Sequence, residues 1–201
     1  MRMFSRLTNA APILAFAMLV STNIASAQKT NTVQYGTTTV TFASTLIPTM
    51  NSLGLTLGPV SPSNIRNGVV SFSANSGAID LVSGAAQVLH SGGLTVTAGQ
   101  TVITLQGFIV DTTAGTPVIT GLVSLNGTLI GRLPIFDLVI PGGLIVPLTP
   151  TRNGQLNIAS INVTLDSTMA GILNTTFSSL NSPFSGGDPI GIATVSVYVH
   201  P

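Results

Sequence analysis

The chain has 201 residues, of which 5% are charged, with a formal net charge of +1, no cysteine and no tryptophan. So few cations cannot neutralise many phosphates, which excludes a basic nucleic-acid-binding surface and a polybasic membrane contact. Without cysteine the chain has no disulfides, thiolate metal ligands or thiol nucleophiles, so core burial must stabilise the fold.

Residues 1–27 have the features of a signal peptide. Two arginines give a positive start, an apolar run follows, and residues 25–27 (Ala-Ser-Ala) form a small-residue cleavage site. The apolar run is shorter than the roughly 20 residues that a membrane-spanning helix needs. We therefore predict a secreted or periplasmic protein without an integral membrane segment, and one domain over residues 28–201. An uncleaved N-terminal anchor is the alternative.

The first half of this domain is predicted as short strands around one brief helix. Apolar residues at helical spacing predict a helix within residues 44–54, with Pro48 confined to its first turn. Residues 55–67 are predicted as a loop, because Gly-Pro and Ser-Pro pairs interrupt them. Residues 28–36 are expected to be irregular, strands are expected over 37–42, 68–74, 79–82 and 85–90, and a break is expected at 75–77.

The clearest β signal is central. A strand over 94–97 is followed by a tight turn and a longer strand over 101–111. Period-2 alternation in the longer strand places Ile103, Leu105 and Ile109 on one face.

Two Asn-Gly pairs predict hairpins in the second half. Asn126-Gly127 separates apolar runs over 117–125 and 128–140, and this dipeptide favours a type I′ turn. Pro134 lacks a ladder donor, so it indicates an edge strand or a bulge. A second hairpin is predicted at 153–154 between strands over 144–148 and 155–165, with a bulge at 159–160, where the apolar phase slips.

The chain ends with a helix and a strand. Asp166 is predicted to cap a helix over 167–179, a loop covers 182–189, and alternating residues predict a closing strand over 191–200. Many short strands and no strand–helix–strand alternation predict a mainly β fold, an antiparallel β-sandwich with one or two short helices.

Five segments resemble a group of uncharacterised secreted bacterial β proteins, which are distantly similar to the HtaA-type domain of bacterial haem uptake. The resemblance covers roughly 60–197, and its segments are 68–72, 90–96, 108–112, 173–177 and 189–195. It implies a β-rich extracellular fold that binds haem through a tyrosine near the N-terminal helix, supported by a histidine in a β segment. His90 lies where that histidine would fall. The helix over 44–54 contains no tyrosine, and Tyr35 precedes it.

His90 is the one candidate ligand-binding residue, since either imidazole nitrogen can serve as a ligand. The alternative is a polar histidine bonded to nearby backbone. Tyr198 and His200 share one face of the closing strand, which predicts a polar binding patch or an exposed strand end.

The acidic residues predict no catalytic centre. Asp111, Asp137 and Asp166 lie on separate elements, without evidence of the paired carboxylates that acid–base hydrolysis uses. Asp166 is explained as a cap and Asp111 as a turn contact. The sequence has no nucleophile elbow, zinc-protease or phosphate-loop motif, and no clustered oxygen ligands for calcium, so we predict no catalytic residue and no metal site.

Three functions follow. The first is an exported, non-enzymatic module that binds an unknown ligand or surface partner and needs no cofactor. The alternative is a haem- or tetrapyrrole-binding domain related to bacterial iron uptake. The third is a hydrolase whose site is not recognisable, which would need two aspartates converging in a concave pocket.

Overall fold

The computed structural model describes residues 30–113, 115–140 and 142–200. The predicted signal peptide and cleavage site lie outside these residues. The described residues form strands and short helices. In chain order they are β1 (Thr30–Phe42), α1 (Leu46–Ser52), β2 (Thr56–Val60), β3 (Asn64–Arg66), β4 (Val69–Asp80), β5 (Ala86–Ser91), β6 (Gly93–Ala98), β7 (Thr101–Asp111), β8 (Val118–Leu125), β9 (Thr128–Val139), β10 (Gln155–Leu165), α2 (Ser167–Thr176) and β11 (Pro189–His200), with a 3-10 turn at Ser178–Leu180.

The strand pairings form one closed cycle. The order β7-β5-β4-β1-β11-β10-β9-β8 returns to β7 through the β7–β8 pairing, and every pairing is antiparallel. Outside the cycle, β6 pairs with β7, β2 pairs with β6, and β3 pairs with β4. The predicted antiparallel, mainly β class with two short helices is confirmed, and eight of the strands are hydrogen-bonded in one closed cycle. Among the described residues, no helix has the length and apolar character needed to cross a membrane.

Several local predictions are confirmed. Asn126 and Gly127 both have positive φ, 50° and 82°, in the turn between β8 and β9. The β8–β9 register shifts beside Pro134. The β10–β11 register shifts between Ile158 and Ile161, where Ser160 has a φ of 60°. Each of these features depends on a few adjacent residues, which explains why the sequence predicts them.

Three predictions in the first half are wrong. Residues 30–36, within the segment predicted to be irregular, belong to β1, which begins at Thr30 and is paired on both sides, by β4 and β11. The predicted loop at 55–67 contains β2 and β3. The predicted break at 75–77 is a bulge inside the continuous β4, with a register shift between Ala74 and Ser76.

The strand predicted over 144–148 is also wrong. Residues 142–154 contain no strand, and Ile145 is 87% exposed. The backbone N–H of Leu148 donates to the Leu81 carbonyl at 2.6 Å, a single contact in place of a ladder. The turn at 153–154 therefore leads into β10 without a partner strand before it.

A bulge at Gly107 changes the phase of β7. Gly107 has a φ of 59°, and the β7–β8 register shifts between Gln106 and Ile109. Ile103 and Leu105 are buried as predicted, but after the bulge Phe108 is the buried residue and Ile109 is not. The prediction that Ile109 shares their face is wrong, because an extra residue inverts the alternation of the side chains.

The interior contains two apolar clusters. The larger packs the strands against both helices and includes Val40, Phe72, Met50, Met169 and Leu173. The smaller lies at the other end of the strands and consists of Val33, Ala74, Ile79, Ala86, Val88, Leu156, Val197 and Val199.

Candidate functional site

His90 lies on the inner face of β5, in line with Ala86 and Val88, and is 5% exposed. Its Nε2 is 2.8 Å from the Thr38 hydroxyl on β1, and its Nδ1 is 3.1 Å from the Val88 carbonyl oxygen. A carbonyl only accepts, so Nδ1 carries the proton and donates to Val88, while Nε2 accepts from the hydroxyl of Thr38. Both ring nitrogens are therefore engaged within the protein.

The environment of His90 keeps its imidazole neutral. Burial lowers the pKa of His90 to about 4, against the smaller raising effect of the hydrogen bond to the Val88 carbonyl. A neutral histidine can ligate a metal only through an unprotonated nitrogen, and here that nitrogen accepts from Thr38. This geometry favours the second interpretation of His90, a polar histidine bonded to its neighbours.

A cavity of about 30 Å³ lies beside His90 and Thr38. Its other walls are apolar and include Phe72, Phe108 and Val110. This volume suffices for a water molecule and not for an organic ligand.

A larger cavity lies between the two helices and the strands, and we name it the helix cavity. Its volume is about 260 Å³. The ends of β1 and β10, α1 and its flanks, β2, β6, β7, β9, α2, the segment before β11 and the start of β11 form its walls. The lining residues are Phe42, Thr45, Leu46, Thr49, Met50, Leu53, Leu57, Leu94, Val96, Leu105, Phe136, Leu165, Met169, Leu173, Pro183, Phe184, Asp188, Pro189 and Ile190. Four of these side chains (Phe42, Leu94, Phe136 and Ile190) also line the small cavity beside His90.

The lining of the helix cavity is almost entirely apolar. Asp188 is its one charged lining residue, and its carboxylate accepts from the Ser185 N–H at 2.8 Å. Thr45 and Thr49 contribute hydroxyls, and Met50 and Met169 contribute buried thioethers. A lining of this kind suits an apolar ligand.

The sequence could not reveal this cavity, because its walls come from elements far apart in the chain. The short helix over 44–54 was predicted, and α1 occupies Leu46–Ser52 with its buried Met50 facing the cavity. The space between α1 and α2 depends on tertiary packing, which the sequence does not show.

The aspartates take structural roles. Asp166 caps α2, with its carboxylate accepting from the N–H groups of Thr168 at 2.7 Å and Met169 at 3.4 Å. Asp111 accepts from the N–H and hydroxyl of Thr113, which lowers the pKa of Asp111. The predicted cap and turn contact are both present.

Two of these aspartates are closer than the sequence indicates. Partial burial and, secondarily, the negative charge of Asp166 raise the pKa of Asp137. Neither residue lines the helix cavity or the small cavity beside His90. Two neighbouring carboxylates outside these cavities do not form the concave acid pair that a hydrolase needs. The part of the chain that the structure describes contains no cluster of three or more His, Cys, Asp or Glu side chains able to hold a metal ion.

Tyr35 lies in β1, where it pairs with Tyr198 of β11. Their rings stack with centroids 4.7 Å apart and planes at 28°. The sequence places Tyr198 and His200 on one strand but does not reveal the contact of Tyr198 with Tyr35, because the register between β1 and β11 is not readable from either strand alone. Neither tyrosine lines the helix cavity.

Neither a protein-family model nor a curated protein sequence matches the chain. Solved structures share its fold. The C-terminal domain of HtaA from Corynebacterium glutamicum has a TM-score of 0.62 at 13% identity, with 85% of this chain and 99% of that chain covered. The N-terminal domain of the same protein has a TM-score of 0.62 at 8% identity, with 84% and 99% covered.

The haem-binding protein HtaB from the same organism has a TM-score of 0.50 at 10% identity, with 86% of this chain and 96% of that chain covered. At such identities the likeness concerns the fold. The distant similarity to HtaA-type domains that the sequence predicts is confirmed at that level.

Proposed function

We propose that this chain is an exported, non-enzymatic binding module whose helix cavity takes haem or a related tetrapyrrole. The observation that carries the proposal is the apolar helix cavity, present in a fold shared with the haem-binding protein HtaB. A tetrapyrrole has two broad apolar faces, which match side chains such as Leu46, Leu57 and Phe184.

The volume of the cavity suits part of such a ring. At about 260 Å³ the helix cavity exceeds the roughly 150 Å³ that takes up benzene and approaches the roughly 300 Å³ at the lower end of small-molecule sites. A tetrapyrrole is larger than this space. We therefore propose that one edge of the ring enters between α1 and α2 while the rest stays at the surface.

The residues present do not fit iron ligation through histidine or tyrosine. Both nitrogens of His90 are engaged, by Thr38 and Val88, and neither tyrosine lines the cavity. We therefore propose binding through the apolar ring faces, with His90 supporting the fold. The thioethers of Met50 and Met169 are the soft donors in the lining, and the test below separates their contribution from that of the ring.

Charge decides how the ligand is oriented. The lining carries no Lys or Arg, and Asp188 contributes a negative charge. Asp188 repels the carboxylates of the ligand, and these ionised groups are more stable in water than in an apolar cavity. We therefore propose that they point to solvent. Replacing Asp188 with Asn removes this repulsion and is expected to tighten haemin binding.

The test is titration of the mature chain with haemin and, separately, with metal-free protoporphyrin IX, followed by their Soret absorption. We expect both to bind with similar affinity. Leu53→Trp, which fills the cavity from a half-buried position, is expected to weaken both by about tenfold, or roughly 1.4 kcal/mol.

The matched control is Leu129→Trp, because Leu129 is 61% exposed on β9 and away from the cavity. No Soret shift with either compound contradicts the proposal, as does binding that Leu53→Trp leaves unchanged. Haemin binding that exceeds protoporphyrin binding, and that is lost in Met50→Leu, contradicts ring-face binding.

Export is the second part of the proposal and is supported by residues 1–27, whose charge and cleavage pattern are those of a signal peptide. We expect the mature protein to begin at Gln28. A mass for the native protein that includes residues 1–27 would contradict export with cleavage.

A further inference from the structure

A groove with aromatic and polar side chains lies on the outer surface of β1, β4 and β11, in contrast to the two mainly apolar cavities. Tyr35 is 56% exposed and stacks against the half-buried Tyr198. A shallow groove beside them is lined by Gln34, Tyr35, Gly36, Thr37, Ser73, Ala74, Asn75, Ser196 and Tyr198, and we name these residues the tyrosine face.

A β-bulge builds this surface. The β1–β11 register shifts between Val33 and Tyr35. Val33 is 1% exposed and points inward, whereas Gln34 and Tyr35 are both exposed although they are consecutive. Bulges re-aim side chains in this way, and here the bulge places an amide and an aromatic ring side by side in solvent.

Uncharged hydroxyls continue the tyrosine face along the sheet. The register brings Ser73, Thr37 and Ser196 into one row across β4, β1 and β11. The next row that faces outward lies two residues, or about 7 Å, further along the strands and consists of Ser71, Thr39 and Thr194. On β10, Gln155 lies opposite Tyr198 and its amide donates to the Ser196 hydroxyl at 3.0 Å, which adds a further polar group beside the first row.

Among the residues that the structure describes, none that lines the groove is charged. Nucleobases stack on exposed aromatic rings, but a nucleic acid also brings phosphates, and these need the cations that the tyrosine face lacks. A quaternary ammonium prefers to be enclosed by several rings and desolvated, and Tyr35 is open to solvent. Both classes therefore match the tyrosine face poorly.

We propose that the tyrosine face binds a neutral carbohydrate chain. The weakly positive C–H groups of a sugar ring are attracted to the negative face of the Tyr35 ring. The amides and hydroxyls of Gln34, Asn75 and Ser196 can each donate and accept, which matches sugar hydroxyls. Two hydroxyl rows in line with the ring suit a linear oligosaccharide more than a single sugar.

This site is independent of the helix cavity, so the two proposals fail separately. The tyrosine face shares no lining residue with the helix cavity. Haemin is therefore not expected to compete with carbohydrate at the tyrosine face.

The experiment is calorimetric titration of the mature chain with three neutral probes: cellohexaose, chitohexaose and maltohexaose. We expect at least one to bind at millimolar or lower concentration. Tyr35→Ala is expected to weaken that binding by tenfold or more, whereas Tyr35→Phe keeps the ring and stays within about twofold.

The chain supplies its own optical probe and control. It has two tyrosines and no tryptophan, so tyrosine emission of the unmodified protein reports on this face alone. The matched control is Ile192→Ala, an exposed residue of β11 that does not line the groove and is expected to bind as the unmodified chain does. The proposal is overturned if none of the three probes binds at millimolar concentration, or if Tyr35→Ala binds as well as Tyr35→Phe.

Discussion

At the residue scale, His90 and Thr38 form a polar pair inside an otherwise apolar interior. On β1, Val40 belongs to the larger cluster and Val33 to the smaller, with Thr38 between them. His90 follows Val88 of the smaller cluster along β5. β1 and β5 both pair with β4, one on each side of it, so we interpret this hydrogen bond as fixing the registers of these two strands against β4.

This pair makes stability depend on pH. The pKa of His90 is about 4 in the folded chain against 6.5 in the unfolded chain, so the unfolded chain binds the proton more readily between these values. The contribution of neutral His90 to the free energy of unfolding is therefore fully present above pH 6.5. It falls by about 3 kcal/mol as the pH decreases to about 4. Urea unfolding at pH 7, 5.5 and 4.5 measures this loss.

Two variants isolate the contribution of His90. His90→Asn lowers stability at pH 7 but removes most of the decrease between pH 7 and 4.5, because no buried imidazole remains to be protonated. His200→Asn, at the exposed histidine on β11, is expected to keep the decrease. An unchanged decrease in His90→Asn would show that other groups cause it.

At the element scale, the predictable parts of the fold are those set by adjacent residues. The turn at Asn126 and the cap at Asp166 depend on local chemistry and were predicted. The sequence does not predict β2, because Gly58 and Pro59 are poor strand residues. Pro59 is tolerated there because, within the described part of the chain, β2 is an edge strand that pairs with β6 alone. That pairing cannot be read from the sequence.

The cap of α2 is the element whose stability is most easily tested. Asp166→Ala removes the acceptor for the N–H groups of Thr168 and Met169 and is expected to cost about 1 kcal/mol in urea unfolding. Asp166→Asn keeps an oxygen acceptor and is the matched control, with a loss of a few tenths of a kcal/mol. Equal losses in the two variants would assign the effect to the charge of Asp166 instead of its cap.

The candidate sites were less predictable than the elements. The residue type of His90 is enough to make it a candidate, but its burial and its contact with Thr38 depend on β1 and β5 lying on either side of β4. The tyrosine face needs the register of β1 against β11 and the bulge after Val33. A binding surface assembled from distant strands leaves no compact motif in the sequence.

At the scale of the whole molecule, the two apolar clusters are expected to unfold together. Val110, Ile158 and Val195 pack against both of them. Far-UV circular dichroism follows all the strands and helices, and tyrosine emission follows the ring pair beside the smaller cluster. We expect the two signals to give the same urea midpoint. Midpoints that differ would show that the two ends of the molecule open separately.

The place of β11 in the cycle constrains how the molecule is made. β11 lies between β1 and β10, so the earliest described strand gains one of its two neighbours only from β11, a strand of twelve residues. Contacts between such distant segments are slow to form, because the chain between them must first be ordered. As the chain folds, β1 can pair with β4 early but keeps one unpaired edge until β11 is available. A chain truncated within β11 would therefore expose the unpaired edge of β1 and is expected to aggregate.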